Sequence, residues 1–366
     1  MKIDGSIVYK CISTNFIHCF RATPKHIIIA ESPIEQPTDI KIHYINVSDP
    51  GKSTLITNNV LTAKHKDIEP RTSIVKNIFL VGRSSIYLLA NLSDGIQIFP
   101  FIKERNNTRN KCDDYTNTKW FLDNVNDSIL TMDIVRETDY FVECVIGTKL
   151  AHLYVIHYNM VDHSFRQFKS MTKYESSIQD SINCIKSNGG ELTIGSFDNF
   201  IHSIIGNKCE SHYTMIENGV YDKGEHILVY VDCLKIKKYS SSYVRYYFAY
   251  LTNFGCILFA RNLRGQWETI KEFPRDFKKE TSKIEESPLI DCIINNDHNE
   301  NELFLISGSE HGILYTWNYD CKTNELVSSK VYKVSDASLV HNLSIQECNK
   351  ILFLTDNETS INAIYL

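Results

Sequence analysis

The stretch Glu302-Leu-Phe-Leu-Ile-Ser-Gly-Ser-Glu-His-Gly-Ile-Leu-Tyr-Thr-Trp317 contains an apolar strand, a tight polar turn and a second apolar strand. Six further copies of this pattern occur along the chain, and their turns centre on Asp39, Gly95, Ala151, Asn199, Gly255 and Ser360. With Gly312 as the centre of the quoted copy, successive centres lie 48 to 57 residues apart. Such a period is typical of a repeat array, whose units cannot bury their apolar faces alone. The sequence therefore predicts an all-β, seven-bladed β-propeller that forms a single domain over residues 1–366.

The quoted copy also predicts the four strands of its own blade. The inner strand is expected at 289–294, the second at 303–307, the third at 313–317 and the outer one at 330–334. The polar turn at 309–312 connects the second strand to the third. Strands of about five residues separated by polar turns fit a propeller better than any α/β pattern.

The two ends of the sequence predict how the ring closes. The last copy, Ile351-Leu-Phe-Leu354 followed by Ile361-Asn-Ala-Ile-Tyr365, has no fourth strand after it. The N-terminal segment around Ser6-Ile-Val-Tyr-Lys-Cys11 precedes the first inner strand and belongs to no blade of its own. We therefore expect residues 3–11 to supply the outer strand of the last blade, which would remove the exposed sheet edges.

The charge balance argues against several classes of partner. The 366 residues include 39 Lys and Arg against 44 Asp and Glu, a formal net charge of −5. A nucleic-acid-binding domain would need a strongly basic face, so no direct nucleic-acid contact is expected. The N-terminus lacks the apolar segment of a signal peptide, and no apolar run approaches the ~20 residues of a membrane helix. We expect a soluble protein of the cytosol or nucleus, without membrane insertion.

The eleven cysteines are predicted to be core residues. Four of them, Cys19, Cys184, Cys233 and Cys292, fall at matching positions 15 to 22 residues before a turn centre, where an inner strand belongs. Free cysteine packs as a small hydrophobic residue. The absence of any Cys-x-x-Cys pair argues against a zinc site, and the odd total argues against a disulfide framework.

The sequence contains no recognised catalytic motif. The chain lacks the phosphate-binding loop, the nucleophile elbow and the His-Glu-x-x-His metal motif. His311 beside Glu310 would lie in an exposed turn, a poor place to tune a pKa. Inner-strand acids at Asp133, Asp232 and Asp291 could ring the channel and bind a cation, but contact with channel water is the favoured interpretation. We therefore predict no catalytic residue, no cofactor, no metal and no small-molecule substrate.

Two segments are longer than a blade needs, and long loops in a compact domain are often functional. They cover about 103–127 and 271–287. Each carries two aromatic residues among charges: Trp120 and Phe121 in the first, Phe273 and Phe277 in the second. Tyr and Trp are enriched at protein interfaces, so these four residues are the predicted partner-binding residues. For Trp120 the alternative is packing against its own blade.

The copy that ends Ser307-Gly-Ser-Glu-His-Gly-Ile-Leu-Tyr-Thr-Trp317-Asn318 resembles a WD-repeat, with Trp-Asn where Trp-Asp is usual. The other copies have lost that dipeptide, and the Gly-His dipeptide near the blade start is missing. The resemblance is therefore to a divergent WD40 propeller, strong in one blade and carried through the rest by periodicity.

The two ends resemble a narrower family. Both ends are similar to the small forty-three-kilodalton WD-repeat nucleoporin of the outer-ring, Y-shaped scaffold of the nuclear pore complex. The similar segments near the start are Ile27-Ile-Ile-Ala-Glu-Ser32 and Asp39-Ile-Lys-Ile-His-Tyr44, and the one near the end is Leu352-Phe-Leu-Thr-Asp-Asn-Glu-Thr-Ser-Ile-Asn-Ala-Ile364. That resemblance implies a non-catalytic scaffold at the nuclear envelope that docks on helical scaffold nucleoporins.

Two alternatives stay open at this point. One is a WD-repeat adaptor of another nuclear or cytosolic assembly. The other is an enzyme on the same architecture, such as a hydrolase resembling the diphthamide-pathway methylesterase, with its residues assembled from separate blades at a channel mouth. A cluster of His, Ser and Asp within hydrogen-bond reach on one face would favour the enzyme.

Overall fold

The structure is a computed structural model. It describes residues 7–12, 16–22, 26–33, 35, 41–46, 49–57, 75–81, 87–92, 94–100, 118–124, 126–168, 177–188, 190–198, 200–205, 208–213, 229–238, 242–251, 255–261, 267–273, 289–296, 302–309, 313–333, 340–346, 351–356 and 360–365. Within these ranges every regular element is a β-strand, which confirms the all-β prediction.

The described strands form seven antiparallel sheets of four strands each, here called blades 1 to 7. Each blade runs from an inner strand a through b and c to an outer strand d. Blade 1 consists of β2 (Phe16–Ala22), β3 (His26–Ser32), β4 (Lys41–Asn46) and β5 (Asp49–Thr57). Blade 2 consists of β6 (Val75–Val81), β7 (Tyr87–Leu92), β8 (Gly95–Pro100) and β9 (Thr118–Phe121). Blade 3 consists of β10 (Ile129–Glu137), β11 (Phe141–Thr148), β12 (Leu153–Asn159) and β13 (Ser164–Phe168).

The remaining blades follow the same order. Blade 4 consists of β14 (Ile182–Asn188), β15 (Glu191–Ser196), β16 (Phe200–Ile205) and β17 (Lys208–Tyr213). Blade 5 consists of β18 (Val229–Lys238), β19 (Ser242–Leu251), β20 (Gly255–Arg261) and β21 (Trp267–Phe273). Blade 6 consists of β22 (Leu289–Asn296), β23 (Glu302–Ser309), β24 (Ile313–Asp320) and β25 (Glu325–Lys333). Blade 7 consists of β26 (Val340–Gln346), β27 (Ile351–Asp356), β28 (Ser360–Tyr365) and β1 (Ile7–Ile12).

The seven turn centres all lie between strand b and strand c of a blade, or on the first residue of strand c. These b–c turns share one face of the sheets with the d–a connections, and we call it the top face. The a–b and c–d turns lie at the opposite ends of the strands, on the bottom face. In blade 6 the outer strand begins at Glu325, five residues before the predicted start at 330, because the c–d turn is only four residues long.

β1 pairs antiparallel with β28 in the sheet order β1-β28-β27-β26, and Ile7 and Ile12 are register partners of Ile364 and Ser360. This is the place that the closure prediction gives to the N-terminal segment, although residues 3–6 lie outside the described residues. The a strands contact one another in sequence around the array, and β26 also contacts β2. Blades 7 and 1 are therefore neighbours.

The apolar core lies between neighbouring blades. One cluster joins blades 2 and 3 and includes Phe79, Ile96, Met132, Ile146 and Tyr158. A second joins blades 3 and 4 and includes aliphatic side chains such as Val145, Ile182, Ile194 and Ile204. Alternate residues of one strand contribute to different clusters, as the two-residue period of a strand requires.

The inner-strand positions predicted for cysteine are occupied as expected. Cys19 and Cys184 are buried on the a strands of blades 1 and 4. Cys233 and Cys292 also fall on a strands, and their side chains lie outside the described part of the structure. Burial raises the pKa of the Cys19 thiol well above its usual range, so this sulfur behaves as a hydrophobic group.

A buried polar network joins blades 4 and 5. Glu191, at 1 % exposure, accepts a hydrogen bond from the Tyr247 hydroxyl (2.5 Å) and contacts the Ser203 hydroxyl. The Arg261 guanidinium donates to Ser203 Oγ at 2.8 Å and lies 3.7 Å from the Glu191 carboxylate. It also lies 5.4 Å from the centre of the Trp267 ring. The Arg261 charge is therefore balanced across the gap between the blades, as a buried charge requires.

Candidate partner-binding face

Three of the four predicted partner-binding residues lie on strands and not in long loops. Trp120 and Phe121 belong to β9, the outer strand of blade 2, where Trp120 is the register partner of Ile96. Both side chains are half-buried, and the Trp120 ring lies 6.2 Å from the ring of Tyr154 in blade 3. The predicted loop of 103–127 is corrected accordingly, because 118–121 completes the blade-2 sheet. Partner binding by these two residues stays a prediction.

The other two predicted residues are only partly covered by the structure. Phe273 is the last residue of β21, and it pairs in register with Cys256. Phe277 lies outside the described residues. The start of the segment 271–287 is therefore strand, and its partner-binding role also stays a prediction.

Among the residues whose side chains the structure describes, most exposed large apolar side chains lie on the bottom face. Among the described residues, seven large hydrophobic side chains are exposed, and only Leu150 lies in a top-face turn. The other six lie at bottom-face turns or strand ends of blades 3, 4 and 6: Val135, Tyr140, Val161, Ile205, Leu326 and Val327. Single exposed hydrophobic residues need no explanation, but a concentration of them marks an interaction surface. The bottom face is therefore the candidate partner-binding face.

Tyr140 and Val161 are the most exposed of the six, each at 70 %. Tyr140 lies in the a–b turn of blade 3 and Val161 in its c–d turn, and the two turns are joined by a hydrogen bond from Met160 N to Tyr140 O (2.8 Å). The Thr138 hydroxyl accepts from Phe141 N at 3.1 Å and so holds the first turn. Two exposed apolar side chains thus lie on adjacent turns that are joined by a backbone hydrogen bond.

The second of these turns is held by its own polar side chains. Asn159 Oδ1 accepts from Val161 N at 2.8 Å, and Asp162 Oδ1 accepts from both the amide and the hydroxyl of Ser164. The hydroxyl bond from Ser164 holds the pKa of the Asp162 carboxyl below its ordinary value. The Tyr158 hydroxyl hydrogen-bonds the His163 ring at 2.9 Å. A surface ordered in this way loses little conformational entropy when a partner binds.

Charges of both signs surround the two apolar side chains. Arg136 and Asp139 are exposed near the a–b turn, and Asp162 pairs with Arg166 at 3.4 Å beside the c–d turn. An apolar centre with a polar, charge-balanced rim is the usual anatomy of a protein–protein interface.

Of the three predicted channel acids, Asp133 is the one whose side chain the structure describes. Its Oδ2 accepts a 2.6 Å hydrogen bond from Ser187 N on the a strand of blade 4. Burial raises the pKa of the Asp133 carboxyl, and Lys186 and the Ser187 amide oppose that shift. Asp133 therefore ties two inner strands together. Asp232 and Asp291 lie on the a strands of blades 5 and 6, and the side chains of both lie outside the described residues.

On the top face, buried carboxylates connect the d–a segment of a blade to its own b–c turn. In blade 3, Asp127 precedes strand a and accepts from Leu150 N (3.0 Å) and from the His152 ring (2.9 Å) in the b–c turn. In blade 4 the arrangement is reversed, because Asp198 lies in the b–c turn and accepts from Gln179 N (3.0 Å) ahead of strand a.

Asp198 also begins a row of three chemically active side chains along blade 4. It accepts a hydrogen bond from His202 Nε2 at 3.0 Å, and the His202 imidazole is hydrogen-bonded to Cys209 as well. The Ser177 hydroxyl lies 3.4 Å from the Cys209 sulfur. We call Asp198, His202 and Cys209 the thiol triad. The sequence analysis did not single out any of these residues, and the triad lies within blade 4 and not at a channel mouth.

The described ranges contain neither a metal-binding cluster nor a helix that could span a membrane. There, no group of three or more His, Cys, Asp or Glu residues is arranged to hold a metal ion. No helix in those ranges has the length and hydropathy that crossing a bilayer needs. The His311 turn lies outside the described residues.

Comparison with known proteins identifies the fold. No protein-family model matches the chain, and no curated protein matches it. A chain in a crystal structure of the mitotic checkpoint complex superposes with a TM-score of 0.62 at 10 % identity, over 100 % of this chain and 93 % of that one. The β-propeller domain of Cps50 (Swd1) from Myceliophteria thermophila superposes with a TM-score of 0.60 at 10 % identity, over 99 % of both chains. The chain therefore has a WD40-type β-propeller fold, and identities this low carry no more than the fold.

Proposed function

We propose that this protein is a non-catalytic protein-interaction scaffold that binds another protein through its bottom face. The observation that carries the proposal is the set of exposed apolar side chains described there, with Tyr140 and Val161 on adjacent, hydrogen-bonded turns. Aromatic residues in an apolar centre are the usual energetic anchors of an interface. The near-balanced net charge of −5 favours a protein partner over nucleic acid.

The sharper form of the proposal is a WD-repeat nucleoporin of the outer-ring scaffold of the nuclear pore complex. It is supported by the resemblance of the two ends of the sequence to that family and by the WD40-type propeller fold. The partners would then be helical scaffold nucleoporins, and the protein would reside at the nuclear envelope. A helix that presents apolar residues along one side could place them over Tyr140 and Val161, which project from adjacent turns.

The test is affinity capture of the tagged full chain under mild salt, with the captured proteins identified by mass spectrometry. We expect large helical outer-ring nucleoporins in near-equal amounts. The double variant Tyr140→Glu/Val161→Glu should lose them, because two buried charges would replace two apolar anchors. The matched control is Leu150→Glu, which places the same charge at an exposed position on the top face.

Two results would contradict parts of the proposal in distinguishable ways. If the wild-type protein captures a different stable complex and the double variant loses it, the bottom-face scaffold would be supported and the nucleoporin assignment would be rejected. That complex would make the protein a WD-repeat adaptor of another assembly. Loss of partners in Leu150→Glu but not in the double variant would reject the bottom face.

An esterase of the methylesterase type is the less favoured function. Such an enzyme would need a nucleophile, a base and a substrate cavity together at a channel mouth. The one acid–base–nucleophile row found in the described blades runs along the outer half of blade 4, with its imidazole fully buried. The geometry of that row suits a different kind of chemistry, considered next.

A further inference from the structure

The thiol triad is built by the regular geometry of the outer strands of blade 4. His202 lies on β16 opposite Ser211 of β17, and Cys209 lies two residues from Ser211 on the same side of the sheet. Diagonal neighbours of this kind are within reach of a long side chain. His202 turns its Nε2 to Asp198, which is held in turn by the backbone amides of Gln179 and Phe200 at 3.0 Å each. The carboxylate thus orients the imidazole, and the imidazole contacts the sulfur.

The electrostatics of the triad favour a charged imidazole beside the thiol. Burial alone would lower the pKa of His202, but the hydrogen bonds to Asp198 and Cys209 outweigh it, and the net pKa is raised. Burial would raise the pKa of Asp198, and its bonds to His202 and to the two amides reverse that shift. Asp198 and Cys209 are the groups that act on the imidazole. Among the described side chains beside them, the Phe200 ring lies 5.9 Å from the His202 ring and the Ser177 hydroxyl lies 3.4 Å from the Cys209 sulfur. The apolar cluster packed against Cys209 consists of aliphatic side chains.

Cys209 differs from the other described cysteines in its access to solvent. Cys19, Cys144, Cys184 and Cys321 are buried, whereas Cys209 is partly exposed. Burial raises the pKa of the Cys144 thiol to about 12, with a smaller contribution from Glu143, and so keeps that sulfur protonated and inert. Reactive cysteines combine partial exposure with a neighbouring positive charge. Cys209 is partly exposed, and the raised pKa of the neighbouring His202 favours the charged imidazole.

We propose that Cys209 is a redox modification site, whose thiolate is stabilised by His202 and whose co-reactant is a peroxide. In the reaction, the Cys209 proton resides on His202 and the thiolate sulfur attacks one oxygen of hydrogen peroxide. The S–O bond forms as the O–O bond breaks, and the departing hydroxide takes the proton from the imidazolium and leaves as water. Sulfur loses two electrons to the peroxide and becomes a sulfenic acid, which a cellular thiol can reduce back. His202 is the proton carrier, and Asp198 is a positioning residue.

The first experiment measures thiolate reactivity on the folded full chain. Iodoacetamide is added at about pH 6, where an ordinary cysteine with a pKa of about 8.5 is almost entirely protonated. We expect Cys209 to be alkylated about tenfold faster, or more, than glutathione under the same conditions. Cys144 and Cys321, read by peptide mass spectrometry in the same sample, are the internal controls and should stay unlabelled. Alkylation of Cys209 no faster than that of glutathione would overturn the proposal.

The second experiment tests the roles of the imidazole and the carboxylate. His202→Gln should remove the fast reaction at about pH 6 while leaving the rate above about pH 9 within roughly twofold, because an ordinary thiol ionises there by itself. Asp198→Asn keeps the shape and an acceptor oxygen for one of the two backbone amides, and it serves if His202→Gln fails to fold. We expect it to shift the pH profile in the same direction. An unchanged profile in a folded Asp198→Asn protein would contradict the assigned positioning role.

The third experiment addresses the oxidation itself and separates this inference from the proposed function. The protein is treated with dilute hydrogen peroxide, the sulfenic acid is trapped with dimedone, and the label is located by mass spectrometry. Stoichiometric labelling at Cys209 that is lost in Cys209→Ser supports the redox site. No trapped product, with Cys209 still reduced after the treatment, would reject the site and leave the scaffold function untouched. A separate assay measures turnover of p-nitrophenyl acetate. Repeated turnover that is lost in Cys209→Ser would contradict the non-catalytic function, and Cys209 would then be a catalytic residue and not a modification site.

Discussion

Two buried histidines respond to pH in opposite directions. His18, 9 % exposed on the a strand of blade 1, is hydrogen-bonded to the Ser32 hydroxyl at 2.8 Å, and burial lowers its pKa to about 4. His202, held by Asp198 and Cys209, has a raised pKa. The ordinary histidine value of about 6.5 applies to both in the unfolded chain. His18 therefore destabilises the fold when the pH falls, whereas the stabilising contribution of His202 is present at low pH and lost as the pH rises.

The first prediction concerns acid unfolding. Between about pH 6.5 and 4 the unfolded chain binds a proton at His18 that the folded chain excludes, so unfolding is favoured as the pH falls. The shift from 6.5 to about 4 corresponds to about 3 kcal/mol at most. His18→Gln keeps a hydrogen-bonding side chain but does not titrate. The drop in free energy of unfolding across this range, measured by urea titration at each pH, should be smaller in this variant. Parallel profiles for the two proteins would contradict the prediction, because all other titrating groups are common to both.

The second prediction concerns Gly147 on strand b of blade 3. A Cβ added there would lie 2.4 Å from Ile182 Cγ2 and 2.8 Å from Ile182 Cβ, so the absence of a side chain lets blade 4 pack closely. Gly147→Ala should lower the free energy of unfolding by about 1–3 kcal/mol through overpacking. The matched control is Gly190→Ala, where nothing lies within 4 Å but φ is +84°, so that any loss there reports backbone strain alone. The combination Gly147→Ala/Ile182→Ala, which removes the Ile182 Cγ2 atom, should cost less than the sum of the two single variants. If it does not, the contact with Ile182 is not the cause.

At the scale of the element, a buried carboxylate in blades 3 and 4 connects the segment before strand a to the b–c turn. In blade 3 that connection is Asp127, 4 % exposed, which accepts hydrogen bonds from Leu150 N and His152. Because Ala151 in the same turn has φ of +65°, the hairpin is held in a conformation that favours glycine or asparagine. The carboxylate thus holds a turn whose own sequence does not favour its shape.

The third prediction follows for that turn. Asp127→Ala would leave the Leu150 amide and the His152 ring without their common acceptor and should cost about 1–3 kcal/mol of stability. The comparison variant Asp162→Ala removes an exposed carboxylate that also holds a turn of blade 3, and it should cost less, because water replaces the lost bonds. Thermal unfolding followed by circular dichroism distinguishes the two. Equal losses of stability in the two variants would mean that the burial of Asp127 adds nothing to the contribution of its hydrogen bonds.

The sequence predicted the b–c hairpins better than the outer strands, for a physical reason. Strands a to c are buried on both sides, so they carry the apolar runs from which a strand is recognised. Strand d lies at the rim and is more polar. β9 (Thr-Lys-Trp-Phe) follows a long run of Asn, Lys and Asp, and its Trp120 therefore looked like part of a loop. β25 begins with the exposed Glu325 and Leu326 and was placed five residues too late.

The two proposed sites were harder to predict from the sequence. Tyr140 and Val161 stand in polar turns, and an apolar residue inside a polar turn was the available signal. The thiol triad combines one turn residue with one residue from each of two strands, and only the register of β16 against β17 brings His202 and Cys209 together. A shift of one residue in that register would place them on opposite sides of the sheet.

At the scale of the whole molecule, blade 7 depends on two segments from opposite ends of the chain. β28 has β27 on one side and β1 on the other, and β26 contacts β2 of blade 1. Removal of β1 would expose the edge of β28 and leave a three-stranded blade between blades 6 and 1. The loss affects the ring as well as one sheet, because each blade buries its apolar side chains against its neighbours.

The fourth prediction is therefore that deletion of residues 1–12 sharply lowers the melting temperature. Loss of a strand that is hydrogen-bonded to β28 in a cooperative fold is expected to cost several kcal/mol, and so roughly 10 °C or more. A synthetic peptide of residues 1–12 added in excess should restore part of the loss, because the vacant edge of β28 can still accept it. An unchanged melting curve in the deletion variant would refute closure by β1.

The pairing of β1 with β28 also has a consequence for the timing of protein synthesis. A ribosome adds roughly 5–20 residues per second, so β1 emerges about twenty seconds to a minute before its partner, about 350 residues later, has been made. Through that interval the N-terminal strand has no β28 of its own chain to pair with. On a polysome, where several nascent copies lie close together, the β1 of one copy can reach the β28 of another. Closure within one molecule then competes with strand exchange between molecules, and slower elongation near the end of the message would favour exchanged dimers.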